Sequence, residues 1–268
     1  MTAVLVHHVV DGPSDAPALL MINSLGSTLE MWQPQVEALA SRFRVIRFDL
    51  RGHGRSPVPP GPYQLDDLGA DALALLDQLD IRRTSVCGLS LGGMIGMWLA
   101  SNAPQRVDRL VLCCTSALLG PPSAWAERAR TVLAGGTSAV ADAVVGRWLT
   151  PAYVRRDPAR AAELRAMIAA TPPAGYAACC GAIERMDLRP SLPTISAPTL
   201  VIAGAEDPAT PPAHAEMIAA GIPGARLRVV AGAAHLANIE QPEIITGLIL
   251  NHLLADDPLT DQLLTEEP

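Results

Sequence analysis

The chain of 268 residues contains no lysine, so all 20 of its basic residues are arginine. Its net charge is −7 at pH 7 and it has no run of basic residues, which argues against nucleic acid as a partner. It also lacks an apolar segment long enough to cross a bilayer, and it lacks the basic start and apolar run of a signal peptide. We therefore expect a cytoplasmic protein with no nucleic-acid partner and no membrane association.

Cysteine is scarce, with five residues in the chain. The number is odd, and four of them form the adjacent pairs Cys113-Cys114 and Cys179-Cys180, so the sequence shows neither a disulfide framework nor C-x-x-C metal spacing. We expect no cofactor and no metal. A chain of this length can bury a large core, and α/β folds of this size commonly form one domain.

Apolar, strand-like runs recur along the chain with helix-like stretches between them. The helix-like stretches include residues 31–40 and 65–79, and the second has amphipathic spacing. The strand-like runs are residues 4–10, 18–22, 44–48, 84–87, 109–113, 198–203 and 226–230. This alternation predicts an α/β fold with a mostly parallel sheet that is covered by helices on both faces.

Residues 120–190 depart from this alternation. The stretch begins with Gly120-Pro121-Pro122, is rich in alanine and arginine, and has helical periodicity without a convincing strand. We predict that it forms a helical cap, inserted between a first part of the core at 1–119 and a second part at 191–268. The acidic tail from Ala255 to Pro268 is interpreted as a frayed terminus or as a linker from a longer chain.

The segment from Val86 to Gly93 places Ser90 between Gly88 and Gly92 in the pattern G-x-S-x-G. A short β-prone stretch precedes the serine and a helix-like stretch follows it, which is the context of a nucleophile elbow. The glycines allow the helix and the backbone to crowd against a serine in a strained turn. We predict that Ser90 is a nucleophile whose hydroxyl points out at the top of the sheet.

Two candidate partners of this serine lie in loops that follow strands. Asp207 comes after the strand-like run 198–203, and His235 comes after 226–230. Residues at the carboxyl ends of parallel strands converge on one crevice, and the chain order serine, acid, histidine is that of the α/β-hydrolases. Glu206 is an alternative acid. His53 is interpreted as part of a tight, glycine-supported loop rather than as a second base.

These motifs together resemble a known superfamily. The loop at 23–27, the run Asp49-Leu50-Arg51-Gly52-His53-Gly54-Arg55-Ser56, the elbow, Asp207 and His235 are similar to the α/β-hydrolases over nearly the whole chain. One difference is Asn23-Ser24, which stands where His-Gly is usual. The cap segments 147–151, 176–183 and 186–189 resemble those of the 3-oxoadipate enol-lactonases, which open an enol-lactone in the β-ketoadipate route of aromatic catabolism.

The resemblance implies an α/β-hydrolase fold with a helical cap and a serine carboxylic ester hydrolase. His235, oriented by Asp207, is expected to take the proton of Ser90, while the backbone N–H groups of Leu25 and Leu91 hold the oxyanion. The implied substrate is a small anionic lactone. Some members of that family are fused to a following decarboxylase, so coupling to such a domain is one interpretation of the tail.

The cap offers several arginines for the carboxylate of such a substrate, because an arginine fork suits that group. They are Arg128, Arg130, Arg147, Arg155, Arg156, Arg185 and Arg189. Most of them are expected to be solvated residues on helix faces, and the sequence does not single one out. Trp148 is predicted to wall the pocket, with packing inside the cap as the alternative.

Two rival functions remain open. One is a general esterase or a cofactor-free haloperoxidase or perhydrolase with the same triad. The other is a non-catalytic receptor that holds a ligand in the pocket, although a pure binder has no need of all three triad residues. Haloalkane dehalogenase chemistry is disfavoured, because its nucleophile would be an aspartate at position 90.

Overall fold

The computed structural model describes residues 2–255, and within them a seven-stranded sheet forms the centre of the protein. The sheet order is β1-β3-β2-β4-β5-β6-β7, with β1 antiparallel to β3 and the other neighbours parallel. The strands are β1 His8–Asp11, β2 Ala18–Ile22, β3 Arg44–Phe48, β4 Thr84–Leu89, β5 Val107–Cys113, β6 Thr199–Gly204 and β7 Arg226–Val230. Apart from Ala255, the predicted tail lies outside the described residues.

Helices connect these strands and cover the sheet. In residues 2–255 they are α1 Gln33–Ala40, α2 Leu65–Gln78, α3 Leu91–Asn102, α4 Pro122–Gly135, α5 Ser138–Trp148, α6 Pro151–Arg156, α7 Pro158–Ala169, α8 Pro173–Arg185, α9 Pro212–Gly221, α10 Ala237–Glu240 and α11 Pro242–Leu253. Short 3₁₀ helices lie at Leu29–Trp32, Pro104–Arg106 and Arg189–Thr194. The predicted α/β fold with its mostly parallel sheet is confirmed.

The inner strands β2, β4 and β6 are buried along almost their whole length because both faces of the sheet are covered. Every residue of β4 and β6 is buried, as are all residues of β2 after Ala18. A strand of this kind shows a continuous apolar run instead of an alternating one. The sequence predicted the bounds of β2, β3 and β7 correctly; β2 has such a continuous run, whereas β7 lies at the edge of the sheet and has mostly exposed residues.

The first strand differs from the prediction. The expected strand at 4–10 was wrong in its start, because β1 begins at His8 and continues to Asp11. Before His8, two backbone N–H groups bond to side chains: Val4 N–H donates to Asp71 Oδ1 at 2.8 Å and His7 N–H to Ser56 Oγ at 2.8 Å. His7 O accepts the N–H of Asp49, the residue after β3, at 2.9 Å. An apolar pattern alone cannot distinguish such an extended segment from a strand.

The stretch at 120–190 carries five consecutive helices, α4 to α8, and no strand in these residues, all of which are described. Helix α8 lies against the loop that follows β3. A Cβ on Gly175 of α8 would stand 2.2 Å from the carbonyl oxygen of Gly52, so two glycines permit this close backbone approach. The division of the chain at 119 and 190 stays a prediction.

Within residues 2–255, no single helix is both long and apolar enough to cross a membrane. The pair formed by α7 and α8, which is bent by 90°, satisfies that test by length and composition alone. The middle of α8, from Gly175 to Ile183, is buried in the protein, as in any core helix.

A buried ion pair joins the loop after β3 to helix α2. Arg51 Nε and Nη2 donate to the two carboxylate oxygens of Asp71 at 2.5 and 2.6 Å. The exposed fractions of the two side chains are 0% and 2%. Arg51 Nη2 also donates to the carbonyl oxygen of Asp67 at 3.1 Å. Because Asp71 accepts the N–H of Val4 as well, the pair connects the loop after β3, helix α2 and the N-terminal segment.

We predict that Asp71→Asn strongly destabilises the protein. The amide keeps the shape of the side chain but leaves the guanidinium of Arg51 buried without its carboxylate, which costs about 3–5 kcal/mol in the free energy of unfolding. The control is Asp108→Asn, which breaks the Arg83–Asp108 pair, whose side chains are 60% and 46% exposed, and should cost less than about 1 kcal/mol. Urea denaturation measures both values, and equal losses would contradict the prediction.

Candidate active site

Ser90 lies alone between the end of β4 at Leu89 and the start of α3 at Leu91. Its backbone has φ 59° and ψ −117°, in the left-handed half of the map that a residue with a Cβ rarely adopts. Such a conformation costs about 1–3 kcal/mol and persists because its surroundings hold it. Here Ser90 N–H donates to Cys113 O at 3.0 Å, and Thr115 Oγ1 donates to Ser90 O at 2.6 Å.

The glycines beside Ser90 are required by two close approaches. A Cβ on Gly88 would stand 2.1 Å from the carbonyl oxygen of Gly92, and a Cβ on Gly92 would stand 2.1 Å from the carbonyl oxygen of Ile22. Both oxygens belong to backbone, which cannot move aside as a flexible side chain can. The G-x-S-x-G pattern is therefore the sequence that this turn permits.

Asp207 and His235 follow the neighbouring strands β6 and β7, and the structure brings them into contact. His235 Nδ1 lies 2.8 Å from Asp207 Oδ2, and the exposed fractions of the two side chains are 4% and 0%. Glu206, the alternative acid, is exposed to solvent. Ser90 and His235 both line one cavity of about 330 Å³. The three predicted residues thus meet at one place in the molecule.

Thr210 is part of this arrangement and was missed by the sequence analysis. Its Oγ1 donates to Asp207 Oδ2 at 2.8 Å, while the N–H groups of Thr210 and Ala209 donate to Oδ1 at 3.0 and 2.8 Å. Burial alone would raise the pKa of Asp207, but the interaction with His235 and these hydrogen bonds outweigh it and hold the pKa below its ordinary value. An aspartate followed two and three residues later by bonded N–H groups is an Asx-type turn, which was an available sequence signal.

Glu240 was also missed, and it connects the cap to the loop that carries His235. Its Oε1 accepts the N–H and the hydroxyl of Thr150 at 2.9 and 2.7 Å, and its Oε2 accepts Ala234 N–H at 2.5 Å. Beside it, Leu236 N–H donates to Trp148 O at 2.9 Å. Because the bonded residues are up to 90 positions apart, no local sequence pattern predicts these hydrogen bonds.

The two predicted oxyanion donors come from the residue after Ser90 and from a separate loop. Leu91 is the first residue of α3, where backbone N–H groups have no acceptor within the helix. Leu25 lies in the loop after β2 and lines the cavity. The unusual Asn23 anchors that loop, because its Nδ2 donates to Phe48 O at 2.9 Å and the side chain is buried.

Of the seven cap arginines considered from the sequence, all within the described chain, Arg128 and Arg147 line the cavity. Arg128 lies over the ring of Trp125, with 5.1 Å from its Cζ to the ring centroid. The other five are bound elsewhere or face solvent: Arg156 lies over Tyr153, Arg185 donates to Tyr63 O, Arg189 pairs with Asp187, and Arg130 and Arg155 are exposed.

Trp148 also lines the cavity, and it is 3% exposed. It is the last residue of α5, and its side chain belongs to the apolar core that continues into the cap. The two alternatives for Trp148 are therefore compatible, since the same ring lines the cavity and packs inside the cap.

Comparison with known proteins agrees with this geometry. A family model described as the alpha/beta hydrolase fold matches residues 17–242. The chain is 40% identical over 240 residues to 3-oxoadipate enol-lactonase 2 of Acinetobacter baylyi, covering 90% of each protein. Among solved structures it is similar to the enol-lactonase from Burkholderia xenovorans LB400, with a TM-score of 0.91 and 43% identity over 92% of this chain and 96% of that one.

A further similar structure is that of an enzyme described by another activity. It is a thermophilic esterase from Thermogutta terrifontis with malate bound, and it has a TM-score of 0.87 and 33% identity over 92% of each chain. The family model and these relatives cover most of the chain, including the elbow, the Asp207 and His235 loops and the cap helices. The chain therefore belongs to the α/β-hydrolase family, with 3-oxoadipate enol-lactonases among its relatives.

Proposed function

We propose that the protein is a serine carboxylic ester hydrolase that opens 3-oxoadipate enol-lactone to 3-oxoadipate in the β-ketoadipate pathway of aromatic catabolism. The observation that carries the proposal is the composition of one cavity, where Ser90 and His235 of the core meet Arg128 and Arg147 of the cap. The nucleophile and its base suit attack on the carbonyl of a small lactone, and the two arginines suit a carboxylate on that lactone. The names of the enol-lactonase relatives support the same substrate.

The first step is attack by Ser90 on the lactone carbonyl. Asp207 binds Nδ1 of His235 and so keeps the proton on that nitrogen, which leaves Nε2 to take the proton of the serine hydroxyl. The depressed pKa of Asp207 keeps the carboxylate charged at neutral pH, and its charge stabilises the imidazolium that forms. As its proton leaves, the serine oxygen bonds to the carbonyl carbon.

The negative charge then moves to the former carbonyl oxygen. The N–H groups of Leu25 and Leu91 are the proposed donors to this oxyanion, and the position of Leu91 at the start of α3 adds the favourable end of the helix dipole. Loss of one such donor typically costs about 2.7–4 kcal/mol in the barrier. The position of the Leu25 loop therefore controls the rate more than the side chain of Leu25 does.

Collapse of the tetrahedral intermediate breaks the ring bond between the acyl carbon and the enol oxygen. The enolate stays tethered to the acyl chain, and the proton held by His235 converts it to a ketone. His235 then takes a proton from water, and the resulting hydroxide attacks the ester of Ser90 through a second oxyanion. Release of 3-oxoadipate restores the serine, so that one water is consumed for each lactone opened.

Arg128 and Arg147 are proposed to bind the carboxylate arm of the substrate. Both line the cavity, and a guanidinium donates to a carboxylate through two parallel hydrogen bonds. Trp125 supports Arg128 from below through its ring, which restricts the position of the guanidinium. Trp148 is the proposed apolar wall against which the lactone ring packs.

The proposal includes two expectations about the setting of the enzyme. One is a cytoplasmic location without a nucleic-acid or membrane partner, and the other is coupling to a decarboxylase through the C-terminal tail. Cell fractionation with an antibody against the chain checks the first. Co-purification of decarboxylase activity with the full chain, compared with a chain that ends at residue 255, checks the second.

A general esterase is the second candidate, and the malate-bound esterase among the related structures is the observation that favours it. That esterase has malate, a dicarboxylic acid, bound, so binding of an anion does not by itself select a lactone. Under this alternative, uncharged aryl esters would be cleaved faster than the enol-lactone. A non-catalytic receptor would cleave neither.

We predict that Ser90→Ala lowers kcat for 3-oxoadipate enol-lactone by about 10⁴- to 10⁶-fold, because both half-reactions need the serine oxygen. The ultraviolet absorbance of the enol-lactone follows its hydrolysis. Ser101→Ala is the matched control, since Ser101 lies on the same helix and its hydroxyl donates to Trp98 O. A variant at 90 that retains wild-type turnover would exclude the mechanism.

We predict that Arg128→Gln and Arg147→Gln each raise KM for the enol-lactone by about 10- to 100-fold, the value of one charge-assisted hydrogen bond. Hydrolysis of an uncharged aryl ester should change by less than about threefold, because it has no carboxylate to lose. Arg130→Gln is the control on α4, since Arg130 is exposed and does not line the cavity. Parallel losses on both substrates would show that the arginines maintain the cap instead of binding the anion.

A further inference from the structure

His53 is a buried histidine that the proposed chemistry does not use. It belongs to the loop after β3, and its exposed fraction is 0%. Both ring nitrogens have backbone partners: Nε2 lies 2.9 Å from the nitrogen of Gly26, and Nδ1 lies 3.2 Å from the oxygen of Arg51. The sequence suggested a loop residue, and the structure shows that this residue reaches across to a different loop.

The partners determine the state of the ring. A backbone N–H can only donate, so Nε2 must accept from Gly26, and Nδ1 must then carry the proton and donate it to the carbonyl of Arg51. Burial lowers the pKa of His53 to about 4, against the opposing effects of its bond to Arg51 and the charge of Asp49. The imidazole is therefore neutral at neutral pH. This state is required for Nε2 to accept a hydrogen bond, because both nitrogens carry protons in the charged ring.

The acceptor acts on the loop that carries Leu25. The N–H of Gly26 belongs to the peptide unit that follows Leu25, so its bond to His53 sets the orientation of that peptide plane. Gly26 has φ +80°, and a Cβ there would stand 2.9 Å from Cε2 of Tyr176, so the loop is confined on the other side as well. This close fit leaves the peptide little freedom.

The two ends of the same loop are also bound to the end of β3 and the residue after it. Asn23 Nδ2 donates to Phe48 O at 2.9 Å, and Leu29 N–H donates to Asp49 Oδ1 at 2.9 Å. The bond from Gly26 to His53 lies between these two anchors in the sequence and is the one nearest to Leu25. Within the loop, Ser27 N–H also donates to Ser24 O at 3.2 Å, and Thr171 Oγ1 donates to Gly26 O at 3.4 Å. Removal of the His53 bond would leave these contacts and the loop ends in place and would take away the acceptor of the Gly26 N–H.

We propose that His53 is a positioning residue of the oxyanion hole, which holds the Leu25 N–H in place by accepting the N–H of Gly26. The inference rests on the proposed function in one respect, the assignment of Leu25 as an oxyanion donor. His53 touches neither the substrate nor Ser90 in this role. It acts on the transition state through the backbone of another residue, and substrate binding in the ground state does not depend on it.

A purely structural role for His53 makes a different prediction. Its ring centroid lies 6.5 Å from that of Tyr176, so the imidazole also fills space between the loop and the cap. If filling space were its whole role, a substitution would lower stability, and any effect on kinetics would follow the volume of the side chain instead of its ability to accept a hydrogen bond.

The experiment compares His53→Leu, which removes the acceptor at similar volume, with His53→Gln, whose Oε1 reaches about as far as Nε2 and can accept from Gly26. His53→Asn is the second acceptor-deficient variant, because its shorter amide does not reach that far, and it serves if the leucine variant does not fold. Thermal unfolding checks the fold of each variant. Both kcat and KM are measured on the enol-lactone and on an uncharged aryl ester.

We expect His53→Leu to lower kcat by about 10- to 100-fold on both substrates, as a small displacement of a catalytic group does. KM should change by less than about twofold, and His53→Gln should recover kcat to within about threefold of the wild type. A boronic acid that forms a tetrahedral anion on Ser90 should bind the leucine variant more weakly by the factor lost in kcat/KM. Binding of the product 3-oxoadipate should be unchanged.

Three results would overturn the proposal: wild-type kcat in the leucine variant, equal losses in the leucine and glutamine variants, or a rise in KM at constant kcat. The aryl ester separates this proposal from the proposed function. If the wild type cleaves aryl esters but not the enol-lactone, the substrate assignment fails while the effect of His53 is still measured. If the enol-lactone is opened at equal rates by the wild type and the leucine variant, the role of His53 fails alone.

Discussion

The site depends on one close approach, that of the start of α3 to the end of β2. A Cβ at position 92 would stand 2.1 Å from Ile22 O, so the elbow can lie there because residue 92 is glycine. This approach places Ser90 beside the loop that begins at Asn23, which is where the second oxyanion donor must come from. It also explains the strained backbone of Ser90: the helix can reach the strand end if the residue before it turns at positive φ.

Buried polar side chains hold the loops of the site in place. Asp207 is held by Thr210, the His235 loop is held by Glu240, and the loop of Leu25 is held by Asn23 and His53. Glu240, Asn23 and His53 satisfy backbone groups that would otherwise be buried without a partner, at a cost of about 1–3 kcal/mol apiece, whereas Thr210 bonds the carboxylate of Asp207. Glu240 has a further consequence, because it bonds Thr150 and Ala234 at once. The same carboxylate therefore binds the cap segment next to Trp148 and the loop that carries His235.

The sequence predicted the fold and singled out Ser90, Asp207 and His235, which the structure brings to one place, because their signals are local. Apolar runs predicted the strands, the glycines predicted the elbow, and Asp207 and His235 follow strand ends. The start of β1 was wrong because Asp71 and Ser56 bind that backbone from 67 and 49 residues away. The contribution of Glu240 was invisible for the same reason. A sequence pattern does not give the direction of a side chain. The choice between Asp207 and Glu206 therefore needed the structure, as did the choice among the cap arginines.

The chemistry of the cavity divides anion binding between two places with different consequences. In the proposed mechanism, arginine on the cap binds a carboxylate whose charge is the same in the bound substrate and in the transition state, so its contribution is to affinity and selection. The proposed oxyanion amides near Ser90 bind a charge that exists only while the carbonyl carbon is tetrahedral, so their contribution is to the rate. The chain has a net charge of −7, and the two arginines place positive charge where the proposed anionic substrate binds. The cap is not independent of these amides, because Tyr176 of α8 confines the Leu25 loop at Gly26, and Glu240 bonds both Thr150 and the loop of His235. A change in the cap that alters selectivity must therefore preserve these contacts.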